Sequence, residues 1–257
     1  MARLSTQQRQ TTILELLSAN GEVQVDALSQ HFHTSEVTIR KDLRQLEAAN
    51  QLVRKFGGAV SIQPVLDRNE STNVSNRKKL IAQRAATLIP QGARIVLDSG
   101  STVLALLPFL TSRPDLVIMT NSLKVANQLT QADSPPQVLF SGGTWDQQSQ
   151  SFQGQMAEKM LSAYDFDLAF IGAAGIDIER GTTTFNELTN LSQVMAKSSA
   201  QVVIMAESNK LNRRIPNVEL PWNSIHTLIT DADIESTSIT RITQQGVDVI
   251  CAEPEED

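Results

Sequence analysis

Short apolar runs, each followed by small polar residues, recur between residues 94 and 250 of this 257-residue chain. A run of about four to eight apolar residues bounded by turn-forming residues is typical of a buried strand, and several intervening segments have the apolar spacing of a helix. Strands that alternate with helices predict an α/β domain with a mainly parallel sheet. The predicted strands are residues 94–98, 116–119, 138–140, 167–171, 201–205, 227–230 and 247–250.

The segment before residue 61 has a different pattern, in which three helical segments precede two short apolar runs. Apolar residues at helical spacing predict helices over residues 8–19, 25–32 and 35–46. Gly57-Gly58 lies between the apolar runs and predicts a β-hairpin, because glycine tolerates the positive φ of tight turns. Two helices joined by a short turn and followed by a hairpin predict a winged helix-turn-helix domain over residues 1–60.

The third predicted helix has one apolar face and one polar, basic face. Ser35 suits its N-cap, and Ile39 and Leu43 lie on the apolar face. Hydroxyl, amide and cationic groups on the other face suit a DNA major groove, although the same pattern also suits a solvated amphipathic helix. The basic hairpin that follows favours DNA, because it can grip phosphates. The predicted DNA-binding residues are the cap Ser35, Thr38 and Lys41 at base edges, and Arg40, Arg44, Arg54 and Lys55 at phosphates.

The motifs of this segment resemble the N-terminal domain of the DeoR family of bacterial transcriptional regulators. That family reads Thr-Ile/Val-Arg-Arg/Lys-Asp-Leu, then Leu-Glu, then Arg-x-x-Gly-Gly-Ala. This chain has Thr-Ile-Arg-Lys-Asp-Leu at residues 38–43, Leu-Glu at 46–47 and Arg-Lys-Phe-Gly-Gly-Ala at 54–59. The resemblance implies a DNA-binding domain that represses transcription.

Charge is distributed unevenly along the chain. Residues 1–60 carry 7 Lys and Arg against 6 Asp and Glu, whereas the rest carries 15 against 22. This balance excludes a basic protein that coats nucleic acid and favours local DNA contact, with the acidic part facing away. Cys251 is the only cysteine, which excludes an intrachain disulfide and favours a reducing compartment. The sequence lacks a signal-peptide core and any run of about 20 apolar residues, so we expect a cytoplasmic protein without a membrane partner.

Residues 61–76 are polar and lack periodicity, so we expect an interdomain linker there and a second domain over residues 77–257. A helix is predicted from Arg77 to Pro90. His31 and His33 have no cysteine or third histidine nearby, so we expect no metal site, and nothing in the sequence calls for a cofactor.

Small polar residues follow the predicted strands, and open parallel sheets bind ligands at the carboxyl ends of their strands. The loop at residues 98–102, Asp-Ser-Gly-Ser-Thr, suits a phosphate, because backbone N–H groups, hydroxyls and a helix N-terminus would converge there. An ordinary strand-to-helix turn has the same composition. Several such loops together favour a phosphorylated sugar or polyol. The predicted effector-binding residues are Asp98, Ser99, Gly100, Ser101, Thr102, Thr120, Asn121, Gly142, Gly143, Gly172, Asp177, Glu187 and Lys210.

The same loops resemble the sensor domain of the DeoR family, which implies a fold related to ribose-5-phosphate isomerase and a phosphorylated sugar as effector. Residues 120–123, 149–154, 183–187 and 216–218 most resemble the branch of glucitol (sorbitol) operon repressors, with N-acetylgalactosamine and galactitol regulators next. Glucitol 6-phosphate is therefore the favoured effector. The chain departs from the family at residues 207–212, where Glu-Ser-Asn-Lys-Leu-Asn replaces Asp-Ser-Ser-Lys-Phe-Gly.

Two functions from different classes fit these patterns. The first is a repressor of a sugar or sugar-alcohol utilisation operon. The second is a sugar-phosphate isomerase with an added DNA-binding domain, whose acid–base candidates would be Asp98, Asp177, Glu187 and Lys210. The isomerase's lysine- and glycine-rich catalytic segment has no clear counterpart here, so we expect a protein that is not an enzyme. One winged domain buries too little surface for operator selectivity, so we also expect a dimer or tetramer.

Overall fold

A computed structural model describes residues 6–20, 22–48, 51–55, 57–61, 75–147, 149–184, 190–211, 213 and 215–253. The chain divides into two compact units, Met1–Ser71 and Thr72–Asp257. Most of the predicted linker, residues 62–74, lies outside the described residues. Of its predicted ends, Ser61 belongs to the last strand of the first unit and Asn76 begins the first helix of the second.

The first unit is a winged helix-turn-helix, as predicted. Its strands form an antiparallel sheet in the order β1-β3-β2. The strand β1 was not predicted, because a strand of three residues leaves no recognisable alternation. The elements are α1 (Thr6–Asn20), β1 (Glu22–Gln24), α2 (Val25–His31), α3 (Glu36–Ala48), β2 (Leu52–Lys55) and β3 (Gly58–Ser61).

The apolar faces of the three helices close the core of this unit. Ile39 and Leu43 of α3 are fully buried, and they belong to one cluster with Ile13 of α1, Leu28 of α2 and Leu52 of β2. Burying a side chain of this size contributes about 1.5–3 kcal/mol, so this cluster holds α3 in place. The wing turns at Gly57, whose φ of +81° lies in the left-handed region that glycine adopts most readily.

The second unit is built on a seven-stranded parallel sheet in the order β15-β14-β12-β9-β4-β5-β6. All seven strands predicted from the apolar runs are present, with ends shifted by one or two residues. The strands are β4 (Arg94–Leu97), β5 (Val117–Thr120), β6 (Gln137–Phe140), β9 (Phe166–Gly172), β12 (Ser199–Met205), β14 (Thr227–Asp231) and β15 (Asp248–Ala252).

Alternate residues of the central strands enter two separate cores, one on each face of the sheet. In β4, Ile95 and Leu97 pack in the cluster that contains Ile81 of α4 (Asn76–Ala86), whereas Val96 packs in the cluster that contains Leu161 of α7 (Gln155–Ser162). A doubly wound α/β fold follows from this arrangement. Among the described residues, no helix is both long and apolar enough to cross a membrane. The helices are α4 (Asn76–Ala86), α5 (Ser101–Leu104), α6 (Leu123–Thr130), α7 (Gln155–Ser162), α8 (Asn190–Lys197) and α9 (Ser236–Thr243).

The second unit also contains two smaller sheets, which were not predicted from the sequence. One is a hairpin of β7 (Thr144–Asp146) and β8 (Ser151–Gln153). The other is antiparallel, in the order β10-β11-β13, from β10 (Gly175–Asp177), β11 (Gly181–Thr184) and β13 (Asn217–Pro221). These strands are only three to five residues long and most contain a single large apolar residue, so they show too little apolar alternation to be recognised as strands.

Candidate functional sites

The N-terminus of α3 is capped as predicted. The backbone N–H of Thr38 donates to Ser35 Oγ at 3.2 Å, which satisfies one of the free donors of the first turn. Thr38 Oγ1 also lies 2.9 Å from Ser35 Oγ. Because the two hydroxyls bond to each other, the cap fixes the rotamer with which Thr38 would meet a base edge.

Four of the cations predicted to contact DNA, at base edges or at phosphates, are exposed on α3 and the wing: Arg40, Lys41, Arg44 and Arg54. Arg40 pairs with Glu36 at 2.7 Å, and the Arg54 guanidinium approaches Glu47 at 3.5 Å. Exposed ion pairs of this kind contribute about 0–1 kcal/mol, so a DNA phosphate can compete for both arginines. Lys55 is the last residue of β2.

A buried ion pair that the sequence did not reveal joins α1 to α3. Asp42 is 1% exposed, and its carboxylate accepts from both Nε and Nη2 of Arg9, the latter at 3.0 Å. The bidentate geometry fixes both distance and orientation. Asp42 belongs to the motif read from the sequence. It lies three residues after Ile39 and four before Leu46, and this helical spacing from two buried residues is the signal of a buried role.

The parallel sheet has a topological switch point between β4 and β9. From β4 the chain adds β5 and β6 on one side, and from β9 it adds β12, β14 and β15 on the other. In sheets of this kind, ligands bind in the crevice outside the carboxyl ends of the strands where the order reverses. Asp98 directly follows β4 and Gly172 is the last residue of β9, and the two are in contact, with the Gly172 N–H donating to Asp98 Oδ2 at 3.2 Å.

The carboxyl of Asp98 occupies part of the predicted phosphate loop. It accepts the backbone N–H groups of Ser99, Gly100 and Gly172, while burial raises its pKa. Two of the N–H groups that were expected to face a phosphate are therefore bonded to Asp98 in this structure. The backbone N–H groups and hydroxyls of Ser101 and Thr102, in the short helix α5, are the remaining donors of the loop.

The loop after β5 ties the β7–β8 hairpin to the same edge of the sheet. Asn121 is fully buried, and its backbone and side chain pair with the backbone of Phe152 at 2.9 and 3.2 Å. Thr120 Oγ1 accepts the Ser122 N–H at 3.0 Å. Among the described residues, Asn121 Oδ1 is a buried acceptor without a hydrogen-bond partner. Gly142 and Gly143 connect β6 to this hairpin.

The remaining predicted effector residues are Asp177, Lys210 and Glu187. Asp177 pairs with Arg180 at 2.8 Å and accepts the Glu179 N–H at 3.0 Å, so its carboxylate closes the β10–β11 turn. Lys210 ends a single 3-10 turn after β12. Asp231 holds the start of this turn by accepting from Ser208 N and Oγ at 2.8 and 2.6 Å. Glu187 lies outside the described residues.

Glu219 of β13 is a titratable residue of this region that the sequence analysis missed. Its carboxyl accepts from Ser192 Oγ at 2.7 Å and from the side chain of Thr182. Burial and the charge of Asp98 raise the pKa of Glu219 to about 7. A lone Glu between Val218 and Leu220, in a run bounded by prolines, was the available signal of a carboxyl in an apolar strand.

Glu207, where the chain departs from the family pattern, contacts a residue at the start of the second unit. Ser75 Oγ donates to Glu207 Oε1 at 3.0 Å and accepts the Lys78 N–H at 3.2 Å, which makes Ser75 the N-cap of α4. The same helix is anchored by Arg77, which pairs with Asp233. Among the described residues, no group of three or more His, Cys, Asp or Glu side chains is arranged to hold a metal ion.

Comparison with known proteins assigns both units. Residues 9–65 match the DeoR-like helix-turn-helix domain, and residues 73–232 match the DeoR C-terminal sensor domain. The chain is 35% identical over 253 residues to the putative aga operon transcriptional repressor of Escherichia coli O157:H7, covering 95% of this chain and 93% of that one. It is 31% identical over 249 residues to the HTH-type transcriptional regulator GlpR of Haloferax volcanii, covering 95% and 96%.

Solved structures give a more distant likeness. Ribose 5-phosphate isomerase A from Methanocaldococcus jannaschii has a TM-score of 0.40 and 18% identity, covering 53% of this chain and 54% of that chain. A similarity at this distance has no bearing on activity.

Proposed function

Because this chain belongs to the DeoR family of transcriptional regulators, we propose that it represses an operon for the use of a sugar or sugar alcohol. Its first unit binds operator DNA, and a phosphorylated sugar or polyol in its second unit controls that binding. The putative aga operon repressor is a relative over nearly the whole length of both chains, which supports a role in carbohydrate metabolism. Glucitol 6-phosphate is the first effector to test, on the strength of the resemblance at residues 120–123 and 149–154.

The DNA-binding part of the proposal rests on the exposed face of α3. Lys41 and Arg44 project from the face opposite the buried Ile39 and Leu43, where a major groove would meet them. Thr38 and Lys41 read base edges, whereas Arg40, Arg44, Arg54 and Lys55 hold phosphates. Two copies of the chain would read two half-sites, because one module of this size covers too little DNA for operator selectivity.

The effector part of the proposal is carried by one observation, the contact between Asp98 and Gly172 at the switch point of the sheet. The loops that follow β4, β5, β9 and β12 all begin at this edge of the sheet. Ser101 and Thr102 offer hydroxyls to a phosphate, and Lys210 offers a cation. The effector changes DNA affinity only if it binds the DNA-competent and DNA-incompetent states with different affinities, and we expect it to release DNA.

Thermal unfolding with a ligand panel tests the effector. The panel contains glucitol 6-phosphate, other hexitol and hexose 6-phosphates, amino-sugar 6-phosphates and the unphosphorylated partner of each. A ligand that binds only the folded state stabilises that state by about 2.7 kcal/mol at 100 times its Kd, and this stabilisation raises the unfolding midpoint. A shift with a phosphorylated member but not with its free sugar supports the proposal. A shift with free sugars alone, or with none, contradicts the phosphorylated effector.

Two further assays test the functional class. Operator binding, measured with and without the best ligand, should weaken when the ligand is added. Turnover of pentose or hexose phosphates at an ordinary enzymatic rate, about 1–1,000 per second, would support the isomerase instead. The matches to transcriptional regulators over both units favour the repressor.

A further inference from the structure

A β-bulge sets the direction of the Glu219 side chain. Strand β13 pairs with β11 through Leu220 and Val218, which face the consecutive residues Thr182 and Thr183. Glu219 is therefore the extra residue of the strand and has no partner across the ladder. Bulges of this kind re-aim a side chain and occur often beside binding sites.

The groups around the Glu219 carboxyl are hydroxyls and a second carboxyl. Ser192 of α8 donates to it at 2.7 Å, Thr182 of β11 also donates, and the charge of Asp98 reaches it from the loop after β4. Gln193 of α8 donates to the backbone carbonyl of Glu219 rather than to its carboxyl. Within the described part of the chain, no lysine, arginine or histidine pairs with either carboxyl.

The two carboxyls differ in the hydrogen bonds that they still have room to accept. Asp98 already accepts three backbone N–H groups and the Ser99 hydroxyl. A carboxylate can accept about four hydrogen bonds, and Glu219 receives two. Asn121 Oδ1, at the end of the neighbouring strand β5, adds a buried acceptor without a partner in the described structure. Acceptor positions at this edge of the sheet, on the Glu219 carboxyl and on Asn121 Oδ1, therefore receive no hydrogen bond in the described structure. The hydroxyl groups of a ligand would donate to them.

Building on the proposed function, we propose that Glu219 is a specificity-determining residue of the effector site. Its carboxyl accepts hydrogen bonds from the hydroxyl-bearing chain of a phosphorylated sugar or polyol. Asp98 is saturated by backbone donors and therefore shapes the crevice, whereas Glu219 distinguishes ligands with hydroxyls at that end from ligands without them.

The proposal also gives effector binding a pH dependence. Hydroxyl donors bind the carboxylate better than the carboxylic acid, and the pKa of Glu219 in the free protein is raised to about 7. Affinity for a polyol phosphate should therefore increase between about pH 6 and about pH 8, as the carboxyl loses its proton. Ionisation of the ligand phosphate acts in the same direction, so the comparison that matters is between the wild type and a variant without the carboxyl.

Isothermal titration calorimetry on the full chain tests this role with two probes. One is the hexitol 6-phosphate that gives the largest thermal shift, and the other is inorganic phosphate, which has no hydroxyl-bearing chain. We expect Glu219→Gln to weaken hexitol phosphate binding about tenfold or more, since the lost acceptor is a charged one. Inorganic phosphate affinity should change less than about twofold, within the spread expected for a group that makes no direct contact. The control is Glu158→Gln on α7, which should change neither.

The variant should also lose the part of the pH dependence that Glu219 contributes. Equal weakening of both probes would indicate general damage to the fold and overturn the proposal, as would unchanged hexitol phosphate affinity. Should Glu219→Gln not fold, the conservative Glu219→Asp, which keeps the charge on a shorter arm, must lower the preference for hexitol phosphate over inorganic phosphate. If the wild type binds no phosphorylated sugar or polyol at all, the proposed function fails first and this inference fails with it.

Discussion

The Arg9–Asp42 ion pair is a buried polar contact between α1 and α3, and it helps the apolar cluster to fix the position of α3. Asp42→Ala leaves the Arg9 guanidinium without its carboxylate in a largely buried position. We expect a loss of about 3 kcal/mol, the lower end for a broken buried pair, because Arg9 can still reach solvent. Asp26→Ala on the exposed side of α2 should change stability by less than about 0.5 kcal/mol.

The two tryptophans allow this loss to be assigned to one unit. Trp145 and Trp222 both lie in the second unit, so fluorescence follows that unit alone, whereas far-UV circular dichroism follows both. In urea, Asp42→Ala should shift the dichroism transition and leave the fluorescence transition unchanged. A shift in fluorescence instead would show that the pair does not act within the first unit.

Gly172 is a second position where one substitution gives a clear test, in this case of the proposed effector site. A Cβ built there would lie 3.5 Å from Gly100 Cα and 3.6 Å from Asp98 Oδ2, which is ordinary contact. Gly172→Ala should therefore fold with a midpoint close to that of the wild type, while its methyl group fills space at the switch point. We expect effector affinity to fall about tenfold, by the same calorimetry, with operator binding in the absence of effector unchanged. Unchanged effector affinity would place the ligand away from this crevice.

Among the proposed DNA contacts, we expect the wing to contribute least to the choice of DNA sequence. Arg54 is held near Glu47 through both its N–H, at 3.1 Å, and its guanidinium. Arg54→Ala should weaken binding to operator and unrelated DNA by similar factors and reduce the slope of log K against log salt by about 1. Arg84→Ala, on the exposed side of α4, is the control in fluorescence anisotropy titrations. A change in base preference without a change in salt slope would contradict the assignment of Arg54 to a phosphate.

Elements with a regular apolar pattern could be predicted from the sequence, and the others could not. Ile95, Val96 and Leu97 are buried on alternating faces, so their strand is recognisable without its partners. The strand Gly181–Thr184 consists of glycine and threonine, and it is a strand because Gly175–Asp177 and Asn217–Pro221 pair with it on its two sides. Glu219 was missed for the same reason, since a bulge depends on register between distant segments. The Ser35 cap was found because its bond is local.

At the scale of the whole molecule, Glu219 gives the second unit a pH-dependent stability. Its pKa is about 7 when folded and 4.5 when exposed, so the folded state holds the proton more tightly. The contribution of this group to stability is therefore greatest below about pH 4.5 and is lost as pH rises to about 7. Glu219→Gln should raise the tryptophan-detected unfolding midpoint at about pH 8 and change it little at about pH 5. A lower midpoint at about pH 8 would contradict the raised pKa.

The Ser75–Glu207 contact predicts how effector binding is coupled to the rest of the chain. Ser75→Ala removes both this contact and the cap of α4, and loss of the cap costs about 1 kcal/mol. We expect effector affinity to persist, while the ratio of operator affinities without and with effector falls toward 1. Ser75→Thr, which keeps the hydroxyl, should restore the ratio. A ratio unaffected by Ser75→Ala would exclude this route.

The Ser75 hydroxyl group thus makes two hydrogen bonds in the second unit. The oxygen that closes the first turn of α4 is also the donor that steadies the loop after β12, two segments far apart in sequence. If a ligand draws Glu207 away, that oxygen loses its acceptor at the point where the chain enters the unit from residues 62–74. On the proposed function, the first turn of α4 would then differ between the effector-free and the effector-bound protein.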